Sequence, residues 1–175
     1  MKFNPFQKKY QYLGLHINAH AIKAMQFDLK HNRTSMRAYV NAPLPAGLML
    51  NDAFTSPKKL SEFIKLSIDS PQHGSFNTNR AVICLPESKS FIRVMEMPVI
   101  DEAKAENAIM FEAEAYIPVP MDQVYFDWQI ISKTDKTMNV LLIASPKEYV
   151  DSFMHIVEDA GLKLCGVEVE AQSVT

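Results

Sequence analysis

The sequence predicts an α/β fold, α+β in its local arrangement: a mixed sheet with a small α+β subdomain let into it. Three observations carry that expectation. Three consecutive runs near the amino terminus alternate apolar and polar residues with a period of two, the pattern of a strand meander buried on one face. A helical stretch then leads into Arg80–Leu85 (RAVICL), a run apolar enough to be a central strand. From Pro86 a second series of strand, helix, strand, strand and helix follows, before Leu164–Val169 supplies another apolar strand. The residues in between therefore read as a compact insert that returns the chain to the sheet it left.

Tyr12–Asn18 (YLGLHIN) predicts the first strand and Ala21–Leu29 (AIKAMQFDL) the second, after a tight turn. Lys30–Arg33 is a polar turn, and Thr34–Ala42 completes the meander before Pro43–Gly47 (PLPAG) breaks the sheet. Ser56 is expected to cap a helix with Pro57 at its first position, Leu60, Phe63, Ile64 and Ile68 forming its apolar stripe up to about Asp69. Ser70–Asn79 is loop by composition. After Arg80–Leu85, alternation in Ser90–Met97 sets Phe91, Arg93, Met95 and Met97 on one face and Ile92, Val94 and Glu96 on the other. Val124–Ser132 and Met138–Ala144 flank the polar tract KTDKT as a hairpin. Ser145 and Pro146 open a last helix striped by Tyr149, Val150, Phe153, Ile156 and Val157 and stopped at Gly161. The final EAQSVT reads as the start of a further helix.

The stretch Asp101–Pro120 (DEAKAENAIMFEAEAYIPVP) organises the insert. Asp101 is placed to cap a helix of about four turns, and Pro118 and Pro120 end it. In projection Ala105, Ala108, Ile109, Ala113, Tyr116 and Ile117 share a broad apolar arc, with Lys104, Asn107 and Glu114 opposite. Glu112 falls in the middle of that arc. An unpaired carboxylate there is costly, so a structural ion pair is expected, with Arg93 as the partner. Phe111 projects off the arc and is expected to pack under a neighbouring subdomain, the alternative being a waiting partner. Tyr116, Ile117 and Pro118 either finish the helix and pin the next loop or line a groove.

The chain has 175 residues, 47% hydrophobic and 22% charged, with a formal net charge of −2. That balance offers no basic surface for nucleic acid or anionic lipid. Its longest apolar runs, such as Val140–Ala144, fall far short of the roughly 20 residues of a membrane span. The opening MKFNPFQKKYQY has no continuous apolar core of a signal peptide, which points to the cytoplasm. The two cysteines, Cys84 and Cys165, sit far apart in apolar runs and read as buried thiols. His16 and His20 straddle a strand end and its turn with no third ligand close by, so no metal site is expected. The five glycines include no G-x-G and no G-x-S-x-G. Ser88 in LPES reads as a turn, and Glu106, Glu112 and Glu114 read as solvated carboxylates and a structural pair rather than a catalytic set.

Several stretches together resemble the PilM family, actin-like cytoplasmic proteins of type IV pilus assembly that are similar in fold to the division protein FtsA. They are Leu13–Phe27 (LGLHINAHAIKAMQF), Pro43–Gly47, Ala81–Pro98 (AVICLPESKSFIRVMEMP), Phe111–Pro120 (FEAEAYIPVP), Val140–Ala144 and Ala160–Glu170 (AGLKLCGVEVE). The specific part is LPxS, then RxxxMP, then EAxxYIPxP. The resemblance implies a partial actin-like (RNase H-like) fold. In it residues 12–86 with 164–175 form subdomain 1A, 87–163 form the inserted subdomain 1C, and 1–11 are an amino-terminal tail.

The resemblance also implies a partner: the short cytoplasmic tail of a PilN-like inner-membrane protein, held in a groove of the 1A and 1C region. Arg93, Phe111, Glu112, Tyr116, Ile117 and Pro118 are the candidates for contacting it. The family's first phosphate loop reads like GxDxGSxxxK. Here Gly14 and Lys23 match, but His16 replaces the acidic residue that places the metal, Asn18 the glycine and Ala19 the serine. This degenerate loop, His16, Asn18, Ala19, His20 and Lys23, argues against ATP hydrolysis. ATP with magnesium is expected only with a second half of the cleft, which the resemblance places beyond Thr175. The expected function is an adaptor rather than an enzyme, in the cytoplasm and peripheral to the inner membrane through its partner. The alternatives are an actin-like ATP-binding protein lacking its second half, or the related cytoplasmic module of type II secretion. The uncovered half cleft further implies self-association.

Overall fold

The computed structural model describes residues 11–30, 33–100 and 102–169. The predicted cap at Asp101 and the predicted helix start in EAQSVT lie outside them. The chain divides into two compact units, the first running to Pro86 and resuming at Ser152, the second spanning Glu87–Asp151. The return to the first unit thus falls inside a helix rather than at Leu164.

The first unit holds a six-stranded mixed sheet. Strands β1 (Leu13–Ile17), β2 (Ala21–Lys30) and β3 (Arg33–Pro43) form the antiparallel meander. Two-residue strands β4 (Met49–Leu50) and β5 (Ala53–Phe54) pair only with each other. Helix α1 spans Pro57–Asp69, and the two-residue strand β6, His73–Gly74, adds to the edge of β3. Strand β7 (Arg80–Leu85) runs parallel to β1.

In the second unit, strand β8 (Phe91–Pro98) is followed by helix α2 (Glu102–Glu114), then by β9 (Val124–Lys133) and β10 (Thr137–Pro146). Their sheet has the order β8-β10-β9 and is antiparallel throughout. Helix α3 covers Lys147–Asp159, and β11 (Lys163–Val169) pairs in parallel with β7. The large sheet therefore reads β11-β7-β1-β2-β3-β6. The final strand rejoins the sheet that holds RAVICL, as the insert reading requires.

Period-two alternation decides which face of that sheet is core. Leu13, Leu15, Ile17, Ile22, Ala24, Ala38, Val40, Ala81, Ile83 and Leu85 are all buried. Leu60 and Ile64 of α1 join them, and Phe153 of α3 meets the ring of Phe54 at 5.3 Å between centroids. The inward row of β2 continues into polar residues, Gln26 and Asp28. Gln26 Nε2 donates to Asn77 Oδ1, while Gln26 Oε1 accepts from the Asn77 N–H at 3.1 Å. One extra residue in β3, Arg37, makes a bulge opposite Gln26 and Phe27, and its Nε donates to Asp28 Oδ1 at 2.7 Å. That bond raises the already high pKa of the guanidinium.

Two helix starts differ from the sequence expectation. Ser56 stands at the cap position and Pro57 begins α1 as expected, but the Ser56 side chain makes no cap bond. Ser145 and Pro146 finish β10 rather than opening α3, because the buried Ser145 hydroxyl is paired with Ser90 Oγ at 2.9 Å. The expected loop Ser70–Asn79 contains β6, and the stretch after Pro43–Gly47 contains β4 and β5.

Candidate functional site

The turn between β1 and β2 gathers the phosphate-loop residues. His16 lies opposite Lys23 of β2 on one side and Cys84 of β7 on the other, so all three share the sheet face turned away from the core. Asn18 begins the turn. Its Oδ1 accepts from the His20 N–H at 2.9 Å and the Ala21 N–H at 3.1 Å, and its own N–H donates to the Ala21 carbonyl at 3.2 Å. The Leu44 N–H caps the His20 carbonyl at 2.8 Å. Backbone donors of the kind that cradle phosphate are thus already engaged by the Asn18 carboxamide. Among the described residues no three His, Cys, Asp or Glu side chains converge into a metal-binding group, and no helix is long and apolar enough to cross a membrane.

The second cluster surrounds the end of α2. Ala105, Ile109 and Ala113, spaced four apart, are buried against Met95, Met97, Met138, Val140 and Leu142 of the small sheet, and Ile117 closes the core just past the helix. The buried stripe is narrower than the predicted arc, and this corrects the expectation for Glu112. The carboxylate stands at the margin of the stripe, exposed to water, and no ion pair joins it to Arg93 among the described residues. Arg93 is exposed as well, with its guanidinium carbon 4.3 Å from the centroid of the Tyr116 ring, a cation–π contact. Water removes the need for a counter-ion at Glu112, and the aromatic face takes the guanidinium instead.

Phe111 also departs from expectation: it is 75% exposed rather than packed. Tyr116 is partly exposed under Arg93, Ile117 is core and Pro118 is exposed. The chain turns after the helix, with the Tyr116 and Ile117 amides both donating to the Ala113 carbonyl, at 2.9 and 3.0 Å. Beyond it, Glu114, Ile117, Pro118, Val119, Pro120 and Met121 line an open hollow of about 480 Å³. The six residues expected to meet a partner therefore lie in or beside one stretch at the end of α2, five of them presenting surface and Ile117 supporting it.

Tyr125 was not singled out in the sequence. Its hydroxyl donates to Asp151 Oδ1 at 2.8 Å, and the bond holds the phenol pKa above its ordinary value. Gln26 and Asp28 were missed too, although polar residues on the inward register of an otherwise apolar strand were a visible sign.

A mixed sheet with an α+β unit let in between its fourth and last long strands defines a partial actin-like fold. Within that class the sequence is specific. The model of a family described as "Type IV pilus assembly protein PilM" matches residues 14–175, and the chain belongs to that family. Its structure is similar to a chain of a PilM–PilN type IV pilus biogenesis complex, at a TM-score of 0.80 and 24% identity over 93% of this chain. It is also similar to the cytoplasmic domain of EpsL, an inner membrane component of the type II secretion system of Vibrio cholerae. That match has a TM-score of 0.56, with 15% identity over 91% of this chain and 57% of that one. In sequence it is 27% identical over 86 residues, 49% of its length, to type II secretion system protein L of Xanthomonas campestris pv. campestris. The chain spans 48% of the PilM–PilN chain and 23% of the secretion protein.

Proposed function

We propose that this chain is an adaptor of type IV pilus assembly that holds the short cytoplasmic tail of a PilN-like inner-membrane protein, and that it has no catalytic role. Family membership over residues 14–175 is the observation that carries the reading. The likeness to a chain whose complex contains PilN supports the choice of partner. The surface of α2 and its following loop supports the mode, since an exposed aromatic, a stacked Arg–Tyr pair and a hollow are means of gripping a peptide rather than transforming it. The protein works in the cytoplasm, at the inner membrane through that partner.

The test is calorimetry of the chain with a synthetic tail of the PilN-like protein encoded by its host. Saturable binding is expected; no binding, with the tail retained by another host protein, overturns the reading. A second reading places the chain in type II secretion, favoured by the matches to protein L and EpsL. Affinity purification from the native host separates the two by which membrane protein is retained. Self-association belongs to the same reading: Phe27, Leu29 and Met36 are exposed side by side on the outer face of β2 and β3. Sedimentation velocity is expected to show the Phe27→Ser variant less associated than the parent.

A further inference from the structure

The segment between β6 and β7 is held almost straight by the sheet it crosses. Gly74, Ala38, Gln26, Leu13 and Ala81 stand in one row, on β6, β3, β2, β1 and β7 in turn. Four strand spacings of about 4.8 Å put Ala81 about 19 Å from Gly74, and the seven residue steps between them reach about 23 Å at full extension. The chain has little slack, and residues 75–79 cross without a turn or a bend. Their bonds alternate as they do along a strand. The Asn77 N–H donates to Gln26 Oε1 at 3.1 Å, and the Asn79 carbonyl accepts from the Lys163 N–H at 2.7 Å. Phe76 and Thr78, on the opposite alternation, are half-buried, and neither their N–H nor their C=O groups have a protein partner among the described residues. Open donors and acceptors at every second residue of an extended chain are a template for one more strand.

A hollow of about 580 Å³ adjoins this segment, all within the first unit. Residues 75–79 all line it, so it meets the backbone rather than one row of side chains, since successive side chains of an extended chain point opposite ways. Ile68 of α1, with Ala160 and Leu162 before β11, gives it an apolar lining. Lys65 and Asp69, four apart on α1, also line it, with opposite charges and no ion pair between them among the described residues. The lining therefore asks for no net charge.

We propose that residues 75–79 receive an extended, uncharged peptide segment of a partner protein as an added strand. Its backbone exchanges N–H and C=O bonds with Phe76 and Thr78, and one of its apolar side chains enters the hollow over Ile68 and Leu162. The inference does not draw on the adaptor reading, whose surface is the end of α2. Main-chain pairing fixes the chemistry of the occupant: a peptide carries a donor and an acceptor at every second residue along one edge, the repeat that Phe76 and Thr78 present. A strongly acidic or basic ligand finds no surplus charge here, because Lys65 and Asp69 cancel.

The probe is acetyl-Thr-Val-Thr-Leu-Thr-amide, titrated into the isotope-labelled full chain and followed by amide NMR, with the same peptide N-methylated at every residue as control. Saturable shifts and slowed amide exchange are expected at Phe76 and Thr78 below about 1 mM peptide, with little change on adding salt. The methylated peptide is expected to bind at least about tenfold more weakly. Phe76→Pro removes one open donor and is expected to weaken binding about tenfold, whereas Phe76→Leu keeps it and is expected to bind within about threefold of the parent. Should Phe76→Pro fail to fold, the two peptides on the parent chain decide. Equal binding of both peptides, parent-like binding by folded Phe76→Pro, or no response at Phe76 and Thr78 by about 1 mM overturns the proposal. So does protection of those two amides in the peptide-free chain that rises with protein concentration, which makes a second copy the occupant. A PilN-like tail that competes with the peptide at these amides overturns it as well, since the site is then the adaptor's own.

Discussion

Tyr125 shows how one hydrogen bond sets a titration. Its phenol donates to Asp151, so the folded protein favours the neutral form and the pKa rises above the 10.0 of a free tyrosine. The sign follows from linkage: the contribution to stability is fully present below the unfolded pKa and is lost as pH rises through the higher folded value. Ultraviolet titration is expected to show one phenolate transition later than the ordinary range, absent in Tyr125→Phe. Gln26 gives the second case. Fully buried and bonded twice to Asn77, it ties the loop before β7 to β2. Gln26→Leu fits the space but loses both bonds to the exposed Asn77, so urea unfolding is expected to show a loss of about 1–3 kcal/mol. Both residues show the limit of reading a sequence. Gln26 was legible as an anomaly of register, but its partner lies 51 residues away, in a segment without periodicity.

At the scale of elements, legibility followed the strength of the period. The ends of β7 were readable to the residue because RAVICL is short, apolar and bounded by the polar Asn79 and the strand-breaking Pro86. Strands β4, β5 and β6, of two residues each, have no period to read. They exist because the chain passes close to a partner, and at β6 because Gly74 permits it. Gly74 has φ +66°, and a Cβ there would overlap the Arg37 carbonyl oxygen. Gly74→Ala is expected to detach β6 and leave the rest of the sheet intact, read as faster amide exchange at His73 and Tyr39 only. For α2 both the location of the helix and the centre of its core face were legible, in Ala105, Ile109, Ala113 and Ile117 with Ala108 packed against them, and only the width was overread at Tyr116 and so at Glu112. The buried centre is Ile109. Ile109→Ala is expected to destabilise the second unit by about 2–4 kcal/mol in denaturant unfolding, whereas Phe111→Ala on the outer face is expected to change little.

At the scale of the whole molecule, the family pattern carried the fold because its motifs fall at junctions of the architecture: LPxS where β7 leaves the first unit, and EAxxYIPxP where α2 ends. The proposed lack of nucleotide chemistry rests on a different place, the β1–β2 turn, where His16, Asn18, Ala19 and His20 stand and no carboxylate does. His16 stands where a carboxylate would place magnesium, and the Asn18 carboxamide takes the His20 and Ala21 amides that a phosphate oxygen would need. Lys23, exposed on β2, is a cation without a cradle. Calorimetry with Mg-ATP is therefore expected to give no saturable heat in the submillimolar range, and a phosphate-release assay no turnover. Asn18→Gly separates the two defects. It removes the internal acceptor, so exchange at His20 and Ala21 is expected to accelerate and any phosphate contact to become detectable, while turnover stays absent for want of a carboxylate at His16. Submillimolar ATP binding with turnover by the unaltered chain would show that the turn opens in solution, and the adaptor proposal would give way to that of a nucleotide-driven machine.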